Sequence, residues 1–281
     1  MSLNVNVSGV WKAISQLYVN VGGTWKQCTD AYINVSGTWK SVLYQSGSQT
    51  FSTAGTSETF TVPVGVYSLT IQAAGGGGGA GGGDGGYPVG IDGFGGGLVT
   101  YTLAVTPFQT LNIQVGGGGI HGLGGVRGYG GGAPGTAYNT SYNGGTGGNA
   151  GTSGSSGAGG GGGAATLVYN PSNSLIIVAN GGGGGAGAGS RGGYPGQITG
   201  YNSSPVGADG ANKGGDGGGG GAGGGGYPYG GAGGPTYGGD NFAYSGNSGQ
   251  SLVPSGGTLS TASNGGISGG DASAGYVTIT W

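Results

Sequence analysis

The sequence predicts an all-β protein of two modules, on three observations. A 14-residue unit occurs three times near the N-terminus, β-prone runs alternate with long glycine tracts through the rest, and no stretch has helical apolar periodicity. Glycine supplies 85 of the 281 residues, yet the tracts lack the strict Gly-X-Y phase of collagen. We expect residues 1–45 to form β-hairpins and residues 46–281 to form a glycine-rich β-sandwich.

The first module holds the units LNVNVSGVWKAISQ, LYVNVGGTWKQCTD and AYINVSGTWKSVLY. Each has two β-prone runs around a Ser-Gly or Gly-Gly turn, the signature of a two-residue hairpin. If Gly22 and Gly23 form the turn, then Val21 pairs with Thr24 and Asn20 pairs with Trp25. So small a module buries little surface alone. We therefore expect one face to be its own core and the other to dock on a partner.

The tryptophans of this module are the candidate attachment residues. They recur at the same place in each unit: Trp11, Trp25 and Trp39. The alternative is that the three rings pack on each other and have no partner.

The second module contains the β-prone runs TFTVPVGVYSLTIQAA, LVTYTLAVTPFQTLNIQV, AATLVYNPSNSLIIVAN and AGYVTITW. The first three have a central turn signal, at Pro63–Gly65, Pro107 and Pro171–Asn173, so each is expected to be a hairpin or strand pair. Together they supply about seven strands of a sandwich or jelly roll. The segment QSGSQTFSTAGTSET before them is interpreted as a polar link.

The glycine tracts begin directly after apolar runs, as in IQAAGGGGG and IIVANGGGGG. Ordering a residue costs about 1–2 kcal/mol of entropy, and a backbone hydrogen bond returns about 1 kcal/mol. Ordered tracts therefore need nearly every backbone group paired. Extended threefold helices that bond side by side meet this need, provided that no Cβ intervenes. We expect bundled polyglycine II helices with alanine only at the edges; the alternative is mobile polar loops.

Charge and composition exclude several functions. A net charge of −2 with six basic residues does not favour nucleic acid or an anionic membrane as partner. No signal peptide or 18-residue apolar run is recognised. His121 is the single histidine, the aspartates are isolated, and the G-x-G-x-x-G matches arise by chance in so glycine-rich a chain. We expect no enzyme activity, no cofactor and no metal.

Tyrosines in the glycine tracts are the candidate receptor contacts, because tyrosine is a rigid, amphipathic residue favoured at recognition surfaces. Three of them precede proline in GGYP, which ends a bonded glycine run. The alternative is that their rings cap the open ends of the bundle. The candidates are Tyr87, Tyr129, Tyr138, Tyr142, Tyr194, Tyr201, Tyr227, Tyr229, Tyr237 and Tyr244.

The order of strands and glycine tracts, from FTVPVGVYSLTIQAAGGGGG to AGYVTITW, resembles the glycine-rich domain of bacteriophage tail-fibre and adhesin proteins. It is also similar to the glycine-rich ectodomain of the anaplastic lymphoma kinase receptor family, although this chain lacks the cysteines of that family. These resemblances imply a jelly-roll or TNF-like core that carries polyglycine II helices. The units YVNVGGTWK and YINVSGTWK are similar to short repeats of phage virion proteins.

The resemblance implies a virion protein, a tail fibre or fibre-tip adhesin. Residues 1–45 would bind other virion proteins, with a homotrimer or a trimeric fibre as the assembly, and the glycine-rich domain would bind a host cell-surface protein or glycan. The expected location is the tail or capsid surface of the particle. Two alternatives stay open: a capsid or tail decoration spike without a receptor, and an ice-binding protein.

Overall fold

The computed structural model describes residues 4–13, 17–28, 31–41, 46–84, 90–153, 155–189, 201–214, 217–237 and 243–281. Within them the regular structure is β-strand, apart from one 3₁₀ turn at Thr140–Tyr142. The predicted all-β class is confirmed.

Each repeat unit is an antiparallel hairpin. Their strands are β1 (Asn4–Val7), β2 (Val10–Ala13), β3 (Tyr18–Val21), β4 (Thr24–Gln27), β5 (Tyr32–Val35) and β6 (Thr38–Ser41). Both turn residues have positive φ, at 61° for Gly22 and 84° for Gly23, which is the type I′ geometry that continues the strand twist. The predicted pairs Val21–Thr24 and Asn20–Trp25 are confirmed.

An asparagine closes each of these turns. The Oδ1 atoms of Asn6, Asn20 and Asn34 accept a hydrogen bond from the backbone N–H three residues later, at 2.8–2.9 Å. The repeat thus encodes its own turn: the asparagine satisfies a donor that the tight loop leaves unpaired.

Among the side chains that the structure describes, the hairpins have no core of their own, so that part of the prediction was wrong. Every residue of β3 and β4 is exposed, and Trp25 and Trp39 are 68% and 67% exposed. Two four-residue strands have too few side chains to enclose one another. These two rings are therefore not buried by mutual packing, and the side chain of Trp11 lies outside the described residues.

The second module has two antiparallel sheets. The five-stranded sheet has the order β14–β10–β9–β15–β7, and the four-stranded sheet has the order β13–β12–β11–β8. The strands are β7 (Ser48–Phe51), β8 (Ser57–Thr61), β9 (Ser68–Ala74), β10 (Gly97–Ala104), β11 (Thr110–Gln114), β12 (Thr166–Tyr169), β13 (Leu175–Ala179), β14 (Thr258–Thr261) and β15 (Tyr276–Thr280).

This topology corrects three sequence expectations. The segment interpreted as a polar link contains β7, and β14 lies in a glycine-rich stretch outside the four predicted β-prone runs. The turns at Pro63–Gly65 and Pro107 do not close hairpins, because β8 and β11 pair in one sheet while β9 and β10 pair in the other. A local turn signal marks a reversal but does not say which strand becomes the partner.

One buried cluster takes side chains from both sheets. It includes Leu69 and Ile279 from the five-stranded sheet and Leu111 and Ile177 from the four-stranded sheet. Alternate residues on the other face of the five-stranded sheet carry hydroxyls, and Thr50 and Thr278 bond through their Oγ1 atoms at 3.0 Å. This alternation is the period-2 pattern of a sheet with one buried face.

The glycine tracts are ordered rods rather than loops. Rod 1 (75–83) continues β9 and donates to three different neighbours in turn. On one side, the backbone N–H groups of 75, 78 and 81 donate to the carbonyls of 97, 94 and 91. On a second side, the N–H groups of 76, 79 and 82 donate to the carbonyls of 164, 161 and 158. On a third side, the N–H groups of 77 and 80 donate to the carbonyls of 273 and 270. A strict period of three, with no bond inside the run, is the pattern of extended threefold helices packed side by side.

Three more rods share the pattern: rod 2 (157–165), rod 3 (181–188) and rod 4 (217–226). The N–H groups of rod 2 donate to carbonyls of rod 3, of the run 117–123 and of the run 142–148. The carbonyls of rod 2 accept from N–H groups of rod 1, of rod 4 and of the run 132–135. It therefore has six bonded neighbours. Rods with donors in three directions and acceptors in three others satisfy most of their backbone groups through neighbouring backbones. The N–H groups of Ala186 and Gly217 donate instead to the Oγ atoms of Ser245 and Ser156.

Glycine is needed at these positions because neighbouring backbones occupy the place of a Cβ. A Cβ on Gly77 would lie 2.0 Å from the carbonyl oxygen of Asn264, and one on Gly219 would lie 2.1 Å from that of Gly148. The expectation that alanine occurs only at the edges was wrong: Ala80, Ala158 and Ala222 are fully buried inside the rods.

Candidate functional site

Most of the candidate tyrosines that the structure describes lie at the two ends of the glycine bundle. Rod 1 leaves β9 and rod 2 enters β12, so the turns next to these junctions form the strand-side end. Rod 4 runs parallel to rod 2, with the N–H of Gly219 and Gly225 donating to the carbonyls of Gly157 and Gly163. Rod 4 therefore ends, at Gly226, on the strand side.

We call Tyr201, Tyr227 and Tyr229 the strand-side tyrosine surface. Tyr227 and Tyr229 lie in the turn that follows rod 4, and Tyr201 forms a β-bridge with Gly231 at the end of the same turn. Their exposed fractions are 54% for Tyr201, 38% for Tyr227 and 45% for Tyr229. Three sequence-predicted candidates are thus brought to one place by backbone pairing.

Hydrogen bonds on both sides fix this turn. Gly226 and Gly230 donate to the carbonyls of Pro205 and Ser204 at 2.9 and 2.7 Å. On the other side Tyr227 donates to the carbonyl of Gln250, and the N–H of Gln250 donates to the carbonyl of Tyr229, at 2.9 and 3.0 Å. The tyrosines therefore project from a backbone that is held before any ligand arrives.

The surrounding loops are polar and carry no charge. No Asp, Glu, Lys, Arg or His occurs in 134–146, 201–208, 225–232 or 247–255. Asp209 follows the second of these loops, and its Oδ1 accepts from the N–H of Thr146 at 2.7 Å. Asn202 orders its own loop, because its Nδ2 donates to the carbonyl of Val206 at 2.8 Å and its Oδ1 accepts from the N–H of Ser203 at 2.9 Å. The tyrosine, asparagine, serine and glycine of these loops are the residues that antibody binding loops favour.

Tyr142 is a core residue, which corrects its place among the contact candidates. It is 9% exposed and packs with Leu167 and Val178, on the face of β12 and β13 opposite the main cluster. Burial raises the pKa of its phenol, and the nearby Tyr169 and Tyr227 add to that effect. The 3₁₀ turn thus directs this ring into the buried cluster rather than towards the surface.

Tyr138 lies on the same strand-side loop as Tyr142 but is exposed. The N–H of Ala137 donates to the Oδ1 of Asn143 at 2.7 Å, and this bond closes the loop around the 3₁₀ turn. Tyr138 is thus on the same end of the bundle as the strand-side tyrosine surface.

The far end of the bundle holds Tyr129 and Tyr237, whereas Tyr244 lies at mid-length, where its carbonyl accepts from the N–H of Gly221 in rod 4. Tyr129 and Tyr237 are exposed, and the rings of Tyr237 and Tyr244 meet edge to face with centroids 5.6 Å apart. Lys213 is buried beside them, and its ammonium donates to the carbonyl oxygen of Tyr237. Arg127 is exposed at this end. The far end therefore differs from the strand side in carrying charge.

Two candidates, Tyr87 and Tyr194, lie outside the described residues. The GGYP motif is therefore placed only at Tyr227, where it turns the chain at the strand-side end of rod 4.

Sequence reasoning missed a pair formed by His121 and Asp271. The Oδ1 atom of Asp271 accepts from the backbone N–H of His121 at 3.0 Å and lies 2.6 Å from its Nδ1. The hydrogen bonds from the backbone and side chain of His121 lower the pKa of Asp271. The two residues are 150 positions apart, and only the pairing of rods brings them together. Among the described residues, no group of three potential metal ligands occurs.

Comparison with protein-family models and with curated proteins finds no match for this chain. In the described part of the chain, no helix has the length and apolarity needed to cross a bilayer.

Proposed function

We propose that the chain is a structural protein of a bacteriophage particle, a tail fibre or fibre-tip adhesin. In this proposal residues 1–45 attach it to other virion proteins and the glycine-rich body binds a host cell surface. One observation carries the proposal: the chain combines hairpins that leave their aromatic rings uncovered with a rigid bundle that presents tyrosines on ordered turns.

The exposure of the hairpins supports the attachment role. Tyr18, Val19, Trp25, Tyr32 and Trp39 are exposed, and small two-stranded hairpins are only marginally stable in water. A partner surface that covers these side chains would remove apolar area from water and stabilise the hairpins.

The body supports the binding role through its rigidity. A bundle whose backbone groups are paired by neighbouring rods loses little freedom when its turns contact a ligand, and tyrosine adds contact area at low entropic cost. This combination suits adhesion, and we propose no enzymatic activity.

The experiment is to assemble particles with a chain that lacks residues 1–45 and with a second chain that carries Trp25→Ala and Trp39→Ala. We expect the truncated chain to be absent from purified particles and the double variant to be reduced in them. Particles without the chain should adsorb poorly to host cells. Normal incorporation of the truncated chain would overturn the attachment role, and normal adsorption of particles that lack the chain would favour a decoration spike.

A further inference from the structure

We propose that the strand-side tyrosine surface binds a neutral saccharide. This inference rests on the proposed function, since it names the ligand class of an adhesin surface. The occupant is argued from the charge, the aromatic groups and the rigidity of the turns around Tyr201, Tyr227 and Tyr229.

Charge distinguishes this end of the bundle from the rest. The four loops at and around the surface contain no ionisable side chain other than tyrosine, whereas Arg127 and Lys213 lie at the far end. A charged ligand would lose its hydration here without gaining a counter-charge. A neutral ligand avoids that cost, and its affinity would not depend on salt.

Aromatic rings beside amides and hydroxyls match the surface chemistry of sugars. A pyranose ring has apolar C–H faces, which pack on phenol rings, and hydroxyls around its edge, which need donors and acceptors. The loops offer both: three half-exposed phenols with their hydroxyls, and beside them Ser204 and Gln250, whose backbones bond to this turn. The amide of Asn202 is already bonded within its own loop and holds that loop in place. A protein ligand would instead bring charged rim residues that find no complement in these loops.

The rigidity of the turn allows a ligand to bind even when each of its contacts is weak. Saccharide contacts are individually small, so binding requires a surface that loses little entropy. Gly226, Tyr227, Gly230 and Gly231 all donate to carbonyls of neighbouring segments, at 2.7–2.9 Å. The backbone carbonyl of Tyr142 lies against Gly225, immediately before this turn.

The test uses the purified full chain on a printed array of neutral, sialylated and sulfated oligosaccharides. We expect retention of a subset of neutral oligosaccharides, with equal signal at low salt and at about 0.5 M NaCl. Tyr227→Ala should weaken binding about tenfold, and Tyr201→Ala combined with it should abolish the signal. Tyr227→Phe keeps the ring and should retain most of the binding.

Tyr129→Ala at the far end is the matched control, because its ring is as exposed as that of Tyr201 and it should leave array binding unchanged. The melting temperature of every variant is measured, so that loss of fold is separated from loss of contact.

Binding that is confined to charged oligosaccharides, or binding that survives the double tyrosine variant, would overturn the proposal. Adsorption to host cells without any retention on the array would indicate a protein receptor and would leave the proposed adhesin function standing. A chain that binds neither the array nor host cells would contradict both.

Discussion

At the scale of single residues, position in the bundle decides what a side chain does. Tyr138 and Tyr142 are four residues apart in one loop, yet one is exposed and the other is buried. Asp271 is an isolated acid in the sequence, but the run 117–123 lies beside it and His121 bonds to its carboxylate. Residue type alone would not separate Tyr138 from Tyr142, nor Asp271 from the other isolated aspartates.

Asp271 gives an acid-sensitive contribution to stability. Its pKa is lowered from the ordinary value of 3.8 by the bonds from His121, so the folded state favours the carboxylate. This contribution is present above pH 3.8 and is lost as the pH falls through the lowered pKa. Because the carboxylate is half exposed, we expect less than about 1 kcal/mol.

The measurement is thermal unfolding of the protein and of Asp271→Asn between pH 2 and pH 6. The difference in stability between them should shrink below about pH 4. A difference that is constant across this range would show that the carboxylate charge contributes nothing.

Tyr142 should matter to stability and Tyr138 should not. Tyr142→Ala removes a buried ring from the cluster with Leu167 and Val178, and we expect a loss of about 2–4 kcal/mol. Tyr138→Ala, on the same loop, should change stability by less than about 0.5 kcal/mol. Chemical denaturation of both variants measures this, and equal effects would contradict the placement of the Tyr142 ring.

At the scale of elements, the rods depend on the absence of a Cβ at each position where a neighbouring carbonyl occupies its place. The same rule decides where side chains do occur. Thr146, Asn149 and Thr152 are three residues apart, and Thr146 and Thr152 are exposed while the glycines between them are buried. A period of three in the polar residues of a glycine tract therefore marks its outward side.

Substitution inside a rod should unfold the bundle. Gly77→Val and Gly219→Val would place a Cβ 2.0 and 2.1 Å from a neighbouring carbonyl oxygen, which is far inside van der Waals contact. We expect each to lower the free energy of unfolding by more than about 3 kcal/mol, or the melting temperature by roughly 6–12 °C. Gly214→Ala is the matched control, because nothing lies within 4 Å of its Cβ position. Unchanged melting of the two valine variants would show that these runs are loops.

At the scale of the whole molecule, the two modules differ in how they are stabilised. The buried clusters of the body begin at Phe51, and its glycine rods bond to each other and to the strands. Gly47 and Trp281 exchange backbone hydrogen bonds at 2.9 and 3.0 Å, which ties the start of the body to the C-terminal residue. No described residue of the hairpins contributes to either cluster.

Removal of residues 1–45 should therefore leave the body folded, with its melting temperature changed by less than about 2 °C. Removal of residues 1–51 also deletes β7 and Phe51, and it should lower the melting temperature by about 10 °C or more. Calorimetry of both truncated chains makes the comparison. A large effect of the shorter truncation would mean that the hairpins help to stabilise the body.

The sequence by itself determined the local structure. The two-residue turns fixed the hairpin register at Asn20 and Trp25, because a type I′ turn and strand alternation leave one pairing. The need to pair every backbone group in glycine tracts predicted side-by-side rods. The sequence also supplied the tyrosines as candidate contact residues, since tyrosine is the aromatic residue that recurs in those tracts.

Only the tertiary structure decided which segments are neighbours. Glycine carries no side chain, so nothing in a tract says which other tract it bonds to, and rods 1 and 2 find each other across about 80 residues of chain. That choice buried Tyr142, joined His121 to Asp271, and gathered Tyr201, Tyr227 and Tyr229 on the strand side. Which glycine tracts bond to each other depends on how the strands are connected, and the local sequence does not encode those connections.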